Sequence, residues 1–368
     1  MTECVVVYFS RLGAPMYTHE TVALTTVANA IAQVKQCGLE TCYDGARHRP
    51  GRLYFVPNDT LVSDEASSIG IRGADDLFGG VVPRAFVKTK AITHELVGGA
   101  AERPPGWSSA FAGRVRNVVL PGYAAFSAGD SRIAAARILS RGPLRLKDPL
   151  CDGGRDQVVV SSMRHLDELL EGFPPERLAA CGVVLESNLR NVRTLSVGQV
   201  SIDRLKLSYY GWQRSTTNNR GESVYGGSYL VCVRGDWDAL DRLPMSMQER
   251  TAVDQARAYD LATVEYPDFV ASRRNYDVCQ GLDGKGRWRS GVLEASWRSG
   301  GASTAELAAL CAFAKDPTLD VIESAAIKQF GRSCEAPHDA IVHFRGDDPQ
   351  DGPILRYTLV KRRLQQAA

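Results

Sequence analysis

Two short segments on either side of a glycine-rich turn decide the fold. They read Arg273-Arg274-Asn275-Tyr276-Asp277-Val278-Cys279-Gln280-Gly281, then Leu282-Asp283-Gly284-Lys285-Gly286, then Arg287-Trp288-Arg289-Ser290-Gly291-Val292-Leu293-Glu294-Ala295-Ser296-Trp297-Arg298-Ser299-Gly300-Gly301. This pattern predicts an antiparallel hairpin, in which the numbers of opposed residues have a constant sum. A turn centred between Lys285 and Gly286 places Asp277 opposite Glu294. The next pairs are then Val278 with Leu293 and Cys279 with Val292.

The opposed carboxylates are the first chemical signal. Directly opposed side chains lie about 4.5–5.5 Å apart at Cβ, where like charges destabilise a sheet unless a positive group lies between them. A divalent cation with hard oxygen ligands supplies such a charge. From the pairing alone, the alternatives for Asp277 and Glu294 are a surface pair with one carboxylate in solvent, or a register that is off by one residue.

Composition limits the class of protein. The chain has 368 residues, enough for two or three domains, and its 44% hydrophobic content is ordinary for a globular protein. The net charge of +2 indicates neither nucleic acid nor an anionic membrane as a partner. No apolar run reaches about 18 residues, the length that spans a bilayer. The nine cysteines include no C-x-x-C pair, which favours reduced thiols in the cytoplasm.

Residues 1–85 have the pattern of a small α/β domain. An apolar run at 5–9 predicts a buried strand, and apolar residues at helical spacing over 18–36 predict a helix. A second strand is predicted at 53–56. The order indicates a βαβ unit, but no G-x-G-x-x-G follows the first strand, so a dinucleotide fingerprint is absent.

The second chemical signal is a strand, loop and strand over residues 144–160. Lys147 ends the first strand, and the loop contains Gly153, Gly154 and Arg155. Two glycines let backbone N–H groups approach phosphate oxygens, and the two cations add positive charge. The Walker A pattern is absent, and an ordinary glycine turn is the alternative.

The third signal is the apolar segment Val183-Val184-Leu185-Glu186. A buried strand that ends in a carboxylate can bind the amino group of adenine or a ribose hydroxyl. A strand that simply runs out to the surface is the alternative.

Taken in order, these signals resemble the ATP-grasp superfamily. The matching features are Lys90, the strand and loop from Lys147, the V-V-L-E segment, and the E-x-S-x-R-x-G-G run at 294–301. The chain is most similar to a bacterial ATP-grasp family of unknown substrate. The resemblance covers about residues 80–315.

The resemblance implies an α+β fold in which two α+β subdomains clasp ATP behind a small α/β domain. The implied boundaries are 1–85 for this pre-ATP-grasp domain, 86–189 for the subdomain that carries the lid, and 190–368 for the C-terminal catalytic subdomain.

The resemblance also implies a nucleotide site. Lys90 and Lys147 hold ATP phosphates, and the loop of Gly153, Gly154 and Arg155 closes over them as a lid. The adenosine is bound by Glu186 and by the backbone near it, at Val184 and Leu185.

Metal binding and phosphoryl transfer fall to the last motif. Asp277 and Glu294 hold Mg²⁺, with Ser296 at the position of the third ligand. Arg298, with Lys147, stabilises the transferred phosphoryl group. Arg274 is a further phosphate-binding candidate, with a surface arginine as the alternative.

Three residues depart from the superfamily pattern. Ser296 replaces the usual asparagine, and a hydroxyl is a poorer metal ligand than an amide oxygen. Asp148 stands where proline is common, and Asp156 where glycine is common. These departures leave open a chain that binds ATP without catalysis.

The activity implied is that of an ATP- and Mg²⁺-dependent ligase. It activates a carboxylate as an acyl-phosphate, which an amine or another nucleophile on a small molecule or peptide then attacks. A nucleotide-binding regulatory or scaffold protein and a small-molecule kinase are the alternatives, and a homodimer stays open.

Overall fold

The computed structural model describes residues 4–10, 17–47, 53–150 and 157–363. The N-terminal elements, in chain order, are β1 (Cys4–Tyr8), α1 (His19–Lys35), β2 (Gly38–Glu40), β3 (Leu53–Pro57), β4 (Leu61–Val62), α2 (Ser63–Ser68) and β5 (Gly80–Val82). Strands β2, β1 and β3 form a parallel sheet in that order, which confirms the predicted βαβ unit. The side chain of Thr18 accepts from the backbone N–H of Thr21 and thereby caps α1.

The next part of the chain forms a four-stranded antiparallel sheet. Its elements are α3 (Ser109–Val115), β6 (Gly122–Ala125), α4 (Ala128–Leu139), β7 (Leu144–Lys147), β8 (Gln157–Val160), α5 (Met163–Leu170), α6 (Pro175–Cys181) and β9 (Val183–Ser187). The strand order is β6-β9-β7-β8, so β9 has a hydrogen-bonded neighbour on each side. Helices α4 and α5 pack apolar residues, including Ala134, Ile138 and Leu166, into the core of this layer.

The C-terminal part is built on a large antiparallel sheet. Its elements are β10 (Arg190–Ile202), β11 (Leu205–Thr217), β12 (Ser223–Arg234), α7 (Met247–Ala262), β13 (Val270–Ala271), β14 (Arg273–Leu282), β15 (Trp288–Ser296), α8 (Ser303–Lys315), β16 (Val321–Phe330), β17 (Ile341–Asp348) and β18 (Gly352–Arg363). Eight strands follow the order β15-β14-β10-β11-β12-β16-β18-β17. Helices α8 and α1 cover one face, and α7 and α3 cover the other. Strand β13 pairs with β5 and so joins the N-terminal part to this layer.

The register of the β14–β15 hairpin is partly as predicted. Asp277 lies opposite Glu294, which confirms that pair. Val278, however, lies opposite Val292, and Cys279 lies opposite Gly291, so the predicted partners of both were wrong. The turn is centred on Lys285, and a β-bulge next to Asp277 shifts the register by one residue.

The geometry of the turn accounts for the point at which β14 ends and β15 begins. The Asp283 carboxylate accepts from the backbone N–H of Lys285 at 2.9 Å and of Arg287 at 3.0 Å. Gly286 has φ +74°, a left-handed conformation that glycine adopts without strain.

Two further observations bear on expectations from composition. Among the described residues, no helix has the length and apolar character needed to cross a bilayer. The eight cysteines in the described ranges are free thiols. Burial raises the pKa of Cys232 and Cys279 to about 12, so both thiols stay protonated at neutral pH.

Candidate nucleotide and metal site

Lys90 brings a positive charge to the hairpin. It begins a short 3-10 helix, Lys90–Thr93, which the Thr89 hydroxyl caps by accepting from the N–H of Ala91. The Lys90 side chain is buried, and its Nζ lies 2.8 Å from Oε2 of Glu294. A lysine more than two hundred positions earlier in the chain therefore contacts one member of the carboxylate pair.

Asp277 is the other member of the pair. Its Oδ1 lies 2.8 Å from Nδ2 of Asn275 and 3.4 Å from Oγ of Ser196. Burial and the negative charge of Glu294 raise the Asp277 pKa to about 6. Carboxylate oxygens are the ligands that Mg²⁺ prefers, so these residues fit a divalent cation.

A second buried ion pair lies in the four-stranded sheet. Nζ of Lys147 is 2.5 Å from Oε1 of Glu186, and Nε2 of His94 is 3.2 Å from Oε2 of the same carboxylate. Burial alone would raise the Glu186 pKa, but Lys147 and His94 outweigh burial and lower that pKa to about 2. The carboxylate is therefore ionised and fully engaged.

His94 was not found from the sequence. Its ring lies against Gly122 of β6, where an added Cβ would approach the His94 ring and the Leu185 carbonyl oxygen to 2.8 Å. A glycine is therefore needed there for the ring to reach Glu186. The position of His94, four residues after Lys90 and just beyond the short helix, was the signal available in the sequence.

The four-stranded sheet meets strand β14 of the large sheet, where Leu120 and Leu189 pack with Cys279. Cys279 follows Asp277 by two residues on β14 and so points to the same face. Besides burial, the charge of Glu186 contributes to the raised pKa of the Cys279 thiol, so Glu186 lies near this strand. The structure thus brings Lys147 and Glu186 alongside the strand that carries Asp277.

An arginine that the sequence reasoning missed organises the end of the hairpin. Buried Arg273 forms a bidentate pair with Glu306 of α8, with Nε–Oε2 at 3.0 Å and Nη2–Oε1 at 2.7 Å. Its Nη1 also donates to the carbonyl oxygens of Ser296 at 3.1 Å and Arg298 at 2.6 Å. The alternation Arg273, Asn275, Asp277 on one strand face was the available signal.

Arg298 lies two residues beyond the last residue of β15 and is half-buried. Arg273 holds its carbonyl oxygen, and its own Nη1 donates to the carbonyl oxygen of Ser299 at 3.0 Å. The N–H of Gly300 donates to Oγ of Ser303 at 3.0 Å, which joins this segment to the start of α8. The backbone around Arg298 is therefore fixed at both ends.

Three of the predicted binding residues need correction. Arg274 points to the opposite face of β14 from Asp277, where its Nε lies 3.0 Å from Oδ1 of Asp260. It therefore faces away from the carboxylate pair. The backbones of Val184 and Leu185 pair with β6 on one side and β7 on the other, so their groups are committed to the sheet and not available to adenine.

The remaining predicted residues differ in what surrounds them. The Ser296 hydroxyl accepts from Nη1 of Arg273 at 3.3 Å. Asp148, one of the departures from the superfamily pattern, forms an ion pair with Arg177 of α6. Gly153, Gly154 and Arg155, and also Asp156, lie outside the described residues.

Comparisons with known proteins show the fold. A comparison with curated protein sequences finds no match. A family model described as "Protein of unknown function (DUF3182)" matches residues 7–358.

Among solved structures, carboxyaminoimidazole ribonucleotide synthase from Aspergillus clavatus, complexed with ATP, is 12% identical, with 98% of this chain and 94% of that chain covered and a TM-score of 0.51. Phosphoribosylamine–glycine ligase from Thermotoga maritima is 13% identical, with coverages of 98% and 92% and a TM-score of 0.52.

The biotin carboxylase domain of 2-oxoglutarate carboxylase from Hydrogenobacter thermophilus, in complex with MgADP, ADP and bicarbonate, is 10% identical. The alignment covers 97% of this chain and 86% of that one, with a TM-score of 0.52. The likeness to these structures confirms the α+β ATP-grasp fold.

Proposed function

We propose, on the premise that the chain belongs to the DUF3182 family and has the ATP-grasp fold, that it is an ATP- and Mg²⁺-dependent ligase. One observation carries the proposal. Lys90 Nζ lies 2.8 Å from Glu294, which is opposite Asp277, so a phosphate-binding cation and a pair of metal-binding carboxylates meet at one point.

In the proposed reaction a carboxylate oxygen of the acceptor attacks the γ-phosphorus of ATP. The bond from that phosphorus to the bridging oxygen breaks, ADP leaves, and an acyl-phosphate forms. An amine or another nucleophile then attacks the acyl carbon and loses a proton, and inorganic phosphate leaves. Bicarbonate in one of the solved structures and the glycine ligase in another support carboxylate activation as the class of chemistry.

The chain's own residues supply positioning and charge. Lys90 and Lys147 bind phosphate oxygens, and Arg298 on its fixed backbone stabilises the transferred group. Mg²⁺, held by Asp277 and Glu294, neutralises charge on the phosphate oxygens when it is bound. Glu186 holds Lys147 in place and borders the adenosine site.

The division of labour along the chain is also proposed. Residues 1–85 form the pre-ATP-grasp domain, 86–189 the subdomain with the lid of Gly153, Gly154 and Arg155, and 190–368 the catalytic subdomain. The use of ATP and the free thiols support action in the cytoplasm. A homodimer is proposed by analogy with the dimer named for the biotin carboxylase domain.

Calorimetry with ATP, with and without Mg²⁺, tests the binding step. We expect binding that strengthens with Mg²⁺, and failure to bind at millimolar ATP would reject the proposal. ADP release over a panel of carboxylic acids, each with and without amines, then tests the reaction. Lys147→Ala and Glu294→Ala should abolish turnover, and unchanged turnover would reject the site.

The same measurements separate the alternatives. ADP release that needs an alcohol and no amine would indicate a kinase. Binding without ADP release on any acceptor would indicate a regulatory nucleotide-binding protein, an interpretation favoured by the Ser296 hydroxyl already being held by Arg273.

A further inference from the structure

The hydroxyl of Tyr209 has one proton and two acceptors. Its oxygen lies 2.7 Å from Oε1 of Glu306 and 2.9 Å from Oδ1 of Asn275. All three residues are buried, so water does not take part in these hydrogen bonds. A phenol donates only one hydrogen bond. In one of the two contacts, therefore, the partner residue must donate a hydrogen bond to the Tyr209 oxygen.

Glu306 decides which contact receives the proton. Arg273 binds both of its oxygens, at 3.0 and 2.7 Å, so Glu306 is a carboxylate and can only accept. The Tyr209 proton therefore goes to Glu306. The lone pair of the Tyr209 oxygen then faces Asn275, which must donate to it with its NH₂ group.

This orientation turns the amide oxygen of Asn275 toward Asp277. The oxygen and nitrogen of an asparagine amide are assigned from their hydrogen-bond network, and the exchanged orientation satisfies every group of this network once a proton or a cation lies beside Asp277. The amide oxygen then occupies the position 2.8 Å from Oδ1 of Asp277. Two acceptor oxygens so close repel each other unless a proton or a cation lies between them. Neighbouring ligands of an octahedral Mg²⁺ are about 2.9 Å apart, since each lies about 2.0–2.1 Å from the metal.

We propose that Asn275, through its amide oxygen, is the third protein ligand of the metal held by Asp277 and Glu294. The inference rests on the proposed function, because it extends the same metal site. Asn275 and Ser296 are opposed residues on the hairpin and share a face. The Ser296 hydroxyl already accepts from Arg273 at 3.3 Å, which places a positive charge where a metal would have to bind. In this chain the amide ligand has thus moved from one strand of the hairpin to the other.

Mn²⁺ binding measured by electron paramagnetic resonance, with a non-hydrolysable ATP analogue present, tests this assignment without turnover. We expect Asn275→Ala to weaken Mn²⁺ binding by about tenfold or more. Ser296→Ala, which removes the rival ligand, should change it by less than about twofold. Asn218→Ala is a matched control, since Asn218 is a half-buried asparagine that bonds Glu222 in a distant turn.

A direct readout uses protein labelled with ¹³C-asparagine. Pulsed resonance on bound Mn²⁺ should show a coupled carbonyl carbon, which Asn275→Ala removes and Asn218→Ala keeps. Unchanged Mn²⁺ binding in Asn275→Ala, or tenfold loss in Ser296→Ala alone, would overturn the assignment of Asn275. If the unmodified protein binds no Mn²⁺ with the analogue, the proposed function fails, which distinguishes the two failures.

Discussion

Replacing Lys147 with methionine leaves a carboxylate buried without its cation. In the intact protein Glu186 is 2% exposed, and its Oε1 lies 2.5 Å from Nζ of Lys147. Burial alone would raise its pKa, yet Lys147 and His94 lower the pKa from 4.5 to about 2. That difference corresponds to about 3 kcal/mol in favour of the ionised form. We therefore expect Lys147→Met to lose about 3 kcal/mol of local stability at pH 7, within the range known for broken buried pairs.

The dependence on pH gives the expectation a sign. In the intact protein the folded pKa of Glu186 lies below the unfolded value, so its stabilising contribution is complete above about pH 4.5 and is lost as the pH falls toward 2. In Lys147→Met the burial of Glu186 dominates and raises its pKa. Acidification from pH 7 to pH 5 then protonates the unpaired Glu186 carboxyl, so the difference in local stability between the variant and the intact protein should become smaller.

Amide hydrogen exchange of the β7 and β9 strands measures this local stability directly. The double variant Lys147→Met, Glu186→Gln removes the charge together with the cation and should recover most of the loss. ATP affinity should stay weak in both, because neither has the Lys147 ammonium. A loss below about 1 kcal/mol in Lys147→Met, or no recovery in the double variant, would refute the reasoning.

Three further predictions concern neighbouring residues. Asp277→Asn should raise the melting temperature of the metal-free protein at pH 7, because the Asp277 pKa is raised to about 6 and the carboxylate is therefore unfavourable in the fold. It should also remove Mn²⁺ binding measured by resonance, and retained binding would reject its role as a ligand. Arg273→Lys should slow ADP release about tenfold while calorimetry finds ATP affinity within about threefold, since a lysine cannot hold Glu306 and two carbonyls together. Arg274→Ala should leave both nearly unchanged, and equal effects of the two variants would contradict the assigned strand faces. Gly122→Ala should lower the melting temperature, because the new methyl would lie 2.8 Å from the His94 ring, whereas Gly113→Ala, with open space around it, should not. Equal melting temperatures in these two glycine variants would count against the packing argument.

The hairpin shows how much of the fold its sequence could reveal. The pairing of Asp277 with Glu294 was predicted. The predicted turn centre, between Lys285 and Gly286, lies half a residue beyond the observed centre at Lys285. The one-residue bulge compensates for this error at Asp277 and Glu294, but the pairs nearer the turn remain shifted. A bulge depends on contacts from elsewhere in the chain, such as the Leu293 carbonyl oxygen 3.5 Å from Oγ1 of Thr93. Local alternation carries no record of such a contact.

Strand β16 (Val321–Phe330) was not predicted. Its sequence contains adjacent alanines together with glutamate and lysine, which have low β-propensity. It is a strand because β12 and β18 pair with it on both sides, and central position overrides propensity.

The site residues that could be predicted are those that end a strand or lie on a known face of one. Lys147, Asp277 and Glu294 have such positions, and the parity of β14 would also have yielded Arg273 and Asn275. The contact between Lys90 and Glu294 joins distant parts of the chain, so no spacing predicts it.

The ion pair between Lys90 and Glu294 has a consequence for how nucleotide and metal enter the cleft. A phosphate that takes Lys90 releases Glu294, and a metal that takes Glu294 releases Lys90. Each ligand therefore removes the competitor of the other, and thermodynamic reciprocity requires the two affinities to rise by the same factor. Free nucleotide and free metal must each break the pair alone, whereas the complex of both breaks it once. We expect the empty cleft to bind the nucleotide–metal complex more tightly than it binds either free nucleotide or free metal.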